Sequence, residues 1–216
     1  TFVAEKPDVP PVYGITRPAR TWNPIKINFQ HLWLMIKDAW RTKSIKDKFS
    51  LWFKRTGYRP ADVAEKYPID KIEDVYHFEK YDTPTNTFFN TWTWFQLVML
   101  LLFISYLFGN IAFINSLNPY YIYWYGGFVF VTVYALTDLM DGSRYSFFWE
   151  LIRCGLGLWL LYNQQDWFGS SQWWSLVVYL LSAYFVFSAI VTAFIAFNRS
   201  KEIKLQTAIN TNPSTS

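Results

Sequence analysis

Apolar residues keep one rhythm up to about residue 55 and a different one from residue 92 onward. Between Pro24 and Trp40, Phe29, Leu32, Trp33, Ile36 and Trp40 recur at intervals of three, one, three and four, which places them on one helix face, while Lys37, Asp38 and Arg41 fall elsewhere on the wheel. Ile45, Phe49, Trp52 and Phe53 repeat the pattern and predict a second short helix over about 44–54. Thr56-Gly57-Tyr58-Arg59-Pro60 ends this stretch as a turn, and Ala61 to Lys66 predicts one or two helical turns before Pro68. Four apolar runs follow, at about 94–114, 121–137, 147–162 and 176–197, and crossing a bilayer takes about 20 such residues. The third run is short and contains Glu150 and Arg153. Trp92 and Trp94 stand where a headgroup boundary favours tryptophan, Asn118-Pro119 turns the chain, and Gly126-Gly127 predicts close helix approach. The pattern predicts an all-α, polytopic membrane protein with about four transmembrane helices, preceded by a polar, partly amphipathic-helical cytoplasmic segment.

Four regions follow from this. Residues 1–23, with Pro7, Pro10, Pro11 and Pro18, read as an extended strap; 24–91 as amphipathic helices and a charged connector; 92–198 as the transmembrane region; and 199–216 as a disordered polar tail.

Charge sharpens the division. Residues 1–90 hold 15 of the 20 Lys+Arg and 11 of the 16 Asp+Glu, whereas the 55 residues between Asp82 and Asp138 contain none of the four types. A soluble domain spreads its charges throughout, so a purely soluble protein is excluded. The loops at 115–120 and 163–175 carry no Lys or Arg, while the polar segment, the 138–146 loop and the tail do. By the positive-inside rule this predicts four crossings with both ends on the cytoplasmic side. The basic excess of the polar segment suits anionic lipid headgroups; it is diluted by carboxylates and accompanied by no nucleic-acid motif, so nucleic acid is not a predicted partner. The single cysteine, Cys154, forms no internal disulfide and, within an apolar helix, reads as inert.

Candidate chemistry is sparse. His31 and His77 are the two histidines, and no other His, Cys or carboxylate stands at ligand spacing around His31, so no metal, cofactor or catalytic residue is predicted within this chain. His31 reads as an interfacial imidazole beside the aromatic stripe of Trp33 and Trp40. That stripe either lies in the headgroup plane or packs on another domain, and both bury it equally well. Glu150 and Arg153, three apart on one helix, read as a structural clamp close to the cytoplasmic end of the third span, where snorkelling lowers their cost. Asp138 and Asp141 invite comparison with magnesium-dependent lipid-phosphate transferases, but within the next helix only Glu150 follows as a further acid, and the pair reads as a solvated loop fixing topology. Gly155 and Gly157 lack the strand and third glycine of a dinucleotide fingerprint and read as packing positions.

Several segments also resemble a family. Pro11-Val12-Tyr13-Gly14-Ile15-Thr16-Arg17-Pro18, Pro24-Ile25-Lys26, Phe29-Gln30-His31-Leu32, Phe49 and Gly57-Tyr58-Arg59-Pro60 look like the segment after the catalytic core in alkylglycerol monooxygenase-like members of the sterol desaturase and fatty acid hydroxylase superfamily. Glu150-Leu151-Ile152-Arg153-Cys154 resembles the start of a late membrane helix there. The resemblance implies a C-terminal membrane portion of a di-iron oxidoreductase acting on a lipid substrate, with tetrahydrobiopterin as an optional cofactor. Its iron-binding histidine boxes, absent from these 216 residues, would reside in a catalytic domain preceding Thr1, normally in the same chain. A non-catalytic membrane scaffold is the alternative.

Overall fold

A computed structural model describes residues 18–55, 57–69, 72 and 80–211, with side chains up to Asn198. The strap over 1–17, His77 and the tail over 212–216 lie outside the described residues. The chain forms two compact units: one built from residues up to 82, and a helical bundle from 83 onward to which 22–24 also belong.

The first unit contains α1 (Pro24–Arg41), α2 (Ile45–Ser50) and α3 (Ala61–Lys66). Its inward face is held by polar contacts as much as by Leu51 and Val63. Asp38, buried on α1, receives Arg59 Nε at 2.6 Å on one oxygen and Arg59 NH2 at 2.9 Å on the other, while NH1 donates to the Tyr67 carbonyl at 2.8 Å. This two-toothed pairing fixes both position and angle of the guanidinium, and its hydrogen bond to Asp38 raises the Arg59 pKa above the usual value against the lowering effect of burial. Asp62 at the start of α3 accepts from the Lys43 N–H at 3.1 Å and from the buried Thr42 hydroxyl at 3.2 Å, so it ties the end of α1 to α3. The Lys43 N–H holds the Asp62 carboxyl below the usual carboxylate range, with the Thr42 hydroxyl adding to it and desolvation opposing. Ser44 caps α2 by accepting from the Asp47 N–H at 3.2 Å, and Tyr58 donates to the Asp47 carboxylate at 3.1 Å. Tyr58 and Arg59, noted above for the resemblance, are therefore the residues that close this unit.

The bundle contains α4 (Thr87–Gly109), α5 (Ile111–Leu117), α6 (Tyr121–Met140), α7 (Ser146–Gln164) and α8 (Val177–Thr211), with a short 3-10 turn at Ser170–Gln172. α4 packs on α6, α6 on α7 and α7 on α8, and α8 returns to α4 through side chains, antiparallel neighbours throughout. Three helices are long and apolar enough to cross a membrane: Thr87–Gly109, Tyr121–Met140 and Val177–Asn198. α7, also 19 residues long, would measure about 28 Å, close to the hydrocarbon thickness, but it carries Glu150 and Arg153 and is less apolar. The count of four crossings therefore rests on α7.

Several boundaries differ from the sequence expectation. The first span starts at Thr87 because Asn86 caps it, its side chain accepting from the Phe89 N–H at 2.8 Å, and it stops at Gly109 because Asn110 breaks the helix with φ −126° and its amide on the Tyr106 carbonyl. α8 runs on to Thr211, where a disordered tail was expected from residue 199. No Gly or Pro interrupts it before Pro213, and Lys201, Glu202, Lys204, Leu205 and Gln206 are good helix formers. Gly126 and Gly127 allow no close helix approach, since an added Cβ at either meets nothing within 4 Å.

Gly157 is the close approach instead. A Cβ there would run into the ring of Phe185, which is fully buried. Gly157→Ala is expected to cost about 1–3 kcal/mol of bundle stability, read by denaturant titration in micelles, while Gly155→Ala, with open space around it, changes little. A cost below that of Gly155→Ala would show that the helices slide freely at this level.

Opposite the α6–α7 loop, the chain after α7 folds back into the bundle. Trp167 and Phe168 are buried there, with left-handed backbone at Gln165, Phe168 and Gly169. Asp166 steadies the turn by accepting from the Trp167 and Ser171 N–H groups and the Ser171 hydroxyl. Trp167 Nε1 donates to Tyr125 Oη at 3.2 Å, Tyr125 in turn to the Phe103 carbonyl at 2.9 Å, and Tyr106 to the Phe168 carbonyl at 3.1 Å. Each polar tip in this aromatic layer is thus satisfied.

Candidate functional site: a buried charge pair

Burial along α7 falls on Ser146, Glu150, Arg153, Cys154, Gly157, Leu160 and Leu161, a stripe at intervals of three and four. Two of those positions are charged. Arg153 is 1% exposed and Glu150 4%, so the expectation of a snorkelling pair is corrected: the stripe faces α6 and α8, and both groups are fully desolvated. Arg153 NH2 lies 2.5 Å from Glu150 Oε1 and Nε 3.0 Å from Oε2.

The pair also closes a directed circuit of hydrogen bonds across three helices. Arg153 NH1 donates to the Tyr184 hydroxyl on α8 at 2.9 Å, and that hydroxyl donates to Gln96 Oε1 on α4 at 2.5 Å. Gln96 Nε2 donates to the Ser188 hydroxyl, which donates to Glu150 Oε1 at 2.5 Å and accepts from Arg153 NH2 at 2.7 Å. Every donor in the circuit points toward the carboxylate, so the chain of dipoles runs from cation to anion and each bond polarises the next. Cys154 adds a contact to Glu150 Oε1 at 3.4 Å, and one turn below, Trp92 Nε1 donates to Thr192 at 3.2 Å. Unpaired, either charge would be far too costly at this depth; in circuit, the pair fixes the rotation of α4, α7 and α8 about their axes.

Chemically the cluster offers no room for a substrate. The cavity beside it, lined by Gln96, Thr132, Leu136, Leu139, Glu150 and Arg153, holds about 10 Å³, enough for no more than about one water. The arrangement is a hydrogen-bonded link between α4, α7 and α8. Gln96, Tyr184 and Ser188 were missed by the sequence reading, although Tyr184, Ser188 and Thr192, four apart within an apolar helix, mark one polar edge.

The other expected residues stay apart. Asp141 accepts from the Trp22 N–H at 2.6 Å and Asp138 is buried in α6, so the 138–141 pair is not the solvated loop expected of it. Neither joins Glu150: among the described residues no group of three His, Cys, Asp or Glu comes together to hold a metal ion. His31 is exposed on α1, as are Trp33 at 57% and Trp40 at 87%.

No protein-family model matches the chain, and no solved structure does. Curated proteins do, two alkylglycerol monooxygenases among them. Human alkylglycerol monooxygenase is 28% identical over 207 residues, 94% of this chain and 43% of that protein, and the alkylglycerol monooxygenase of Xenopus tropicalis is 28% identical over 161 residues, 74% of this chain and 35% of that one. This chain is therefore similar, over most of its own length and less than half of theirs, to alkylglycerol monooxygenases.

Proposed function

We propose that this chain is the C-terminal membrane part of a lipid-modifying monooxygenase acting on an alkylglycerol or a related ether lipid. The observation that carries the reading is the similarity to alkylglycerol monooxygenases across 94% of the chain. Three membrane-capable helices fit a substrate that resides in a bilayer. The described residues gather no metal ligands, so in this reading the iron-binding histidine boxes belong to the stretch of the relatives that this chain does not cover. The role of these residues is then architectural: the clamp on α7 sets the helix bundle against which a catalytic domain and its lipid are held, with the polar unit and the end of α8 on the cytoplasmic side.

The test is to obtain the native transcript, express its complete product in membranes, and follow incorporation of labelled dioxygen into an alkylglycerol. Turnover that needs both a histidine-box segment and residues 1–216 supports the reading. A native product without such a segment, binding no iron and oxidising no ether lipid, overturns it in favour of the membrane scaffold.

A further inference from the structure

Among the described residues of its own unit, the aromatic stripe of α1 and α2 has no partner covering it. Trp40 is 87% exposed and Phe49 70%, and between the two helices runs an open groove of about 400 Å³ lined by Ile36, Ala39, Trp40, Lys48, Phe49 and Trp52. Water is a poor occupant for such a surface, since each ring left exposed forfeits its transfer free energy.

Charge indicates what covers it. Residues 25–69 hold ten Lys and Arg against four Asp and Glu. Two of those acids are turned inward: Asp38 is buried against Arg59, and Asp47 accepts from Tyr58. Lys48 by contrast lines the groove, and Lys37, Arg41, Lys43 and Lys46 are exposed on the same two helices and the turn between them. The folding of this stretch turns two of its four acids inward, leaves Asp62 and Glu65 exposed on α3, and displays basic side chains along the two helices that carry the aromatic residues. That combination matches a bilayer interface, where rings settle at the headgroup level and cations meet anionic lipid.

We propose that the α1–α2 groove docks onto the anionic leaflet of the bilayer, with Trp40, Phe49 and Trp52 at headgroup depth and the surrounding lysines and arginines on acidic phospholipids. The inference stands on the surface of this unit and does not depend on the proposed activity.

To test it, Trp40→Cys and Phe49→Cys, with Glu65→Cys on α3 as the control, are labelled with an environment-sensitive fluorophore in the 216-residue chain; Cys154, 3% exposed, does not compete for label. The protein is placed in bilayers of phosphatidylcholine with or without phosphatidylserine. Labels at 40 and 49, but not at 65, are expected to be quenched by spin-labelled lipid and shielded from aqueous iodide when phosphatidylserine is present. Lys48→Gln should lower the ratio of docked to free label about fivefold. Iodide quenching with no effect of lipid overturns the proposal, as does lipid quenching that ignores phosphatidylserine. Shielding from both quenchers that rises with protein concentration assigns the groove to a second copy, and shielding that needs a co-expressed histidine-box segment assigns it to that domain; each result overturns membrane docking.

Discussion

Arg153→Met lowers the stability of the helical bundle by about 3–5 kcal/mol, whereas Arg153→Met combined with Glu150→Leu costs much less. The difference has one cause. Removing the guanidinium alone leaves the Glu150 carboxylate 4% exposed, with only the Ser188 hydroxyl and the Cys154 thiol still directed at it. Nothing in the surroundings can neutralise it by moving, because the stripe is packed against two helices. Removing both charges leaves Tyr184, Gln96 and Ser188 still bonded to one another and replaces a desolvated pair by apolar volume. Unfolding in mixed micelles, followed by tryptophan fluorescence, reads both variants. Equal losses in the single and double variants would mean that the two charges act separately and that no circuit exists.

The second large effect concerns the first unit. Arg59→Met should cost about 3 kcal/mol or more, because Asp38, 1% exposed, loses both bonds to the guanidinium while the Tyr67 carbonyl loses its donor. Arg59→Lys is expected to recover only part of this, since one ammonium cannot bridge two carboxylate oxygens and a carbonyl at once. Amide hydrogen exchange separates this from a general defect: protection in α1 to α3 should fall while α4, α6, α7 and α8 keep theirs. Unchanged protection in α1 would show that the helix is held by contacts other than Asp38.

These two pairs were not equally legible. Glu150 and Arg153 stand three apart on one helix, so their meeting follows from the 3.6-residue period alone. Asp38 and Arg59 lie 21 residues apart across two turns, and nothing in the local pattern joins them; the spacing placed Asp38 off the apolar face, on what reads as a solvated side. The aromatic stripe shows the converse. Its periodicity was plain, yet periodicity states only that a face is apolar and leaves open whether this chain covers it. Among the described residues of its unit that face stays uncovered, and the inward side is the one bearing Asp38 and Thr42.

The start of α2 at Ser44 was legible in the sequence, whereas the ends set by Asn86 and Asn110 were missed because only the apolar run was considered there. The membrane class, the amphipathic first segment and the i, i+3 charge pair are all consequences of composition and of neighbours within one helix, which the order of residues carries directly. Which partners complete the clamp is a different matter. Gln96 and Ser188 are 92 residues apart, and they meet only because α4 and α8 are packed antiparallel at one particular rotation. The depth of Arg153, the burial of Trp167 and Phe168 behind α7, and the contact of Gly157 with Phe185 depend on the same packing. Contacts between helices are set by how whole faces fit together, and no local pattern contains that fit.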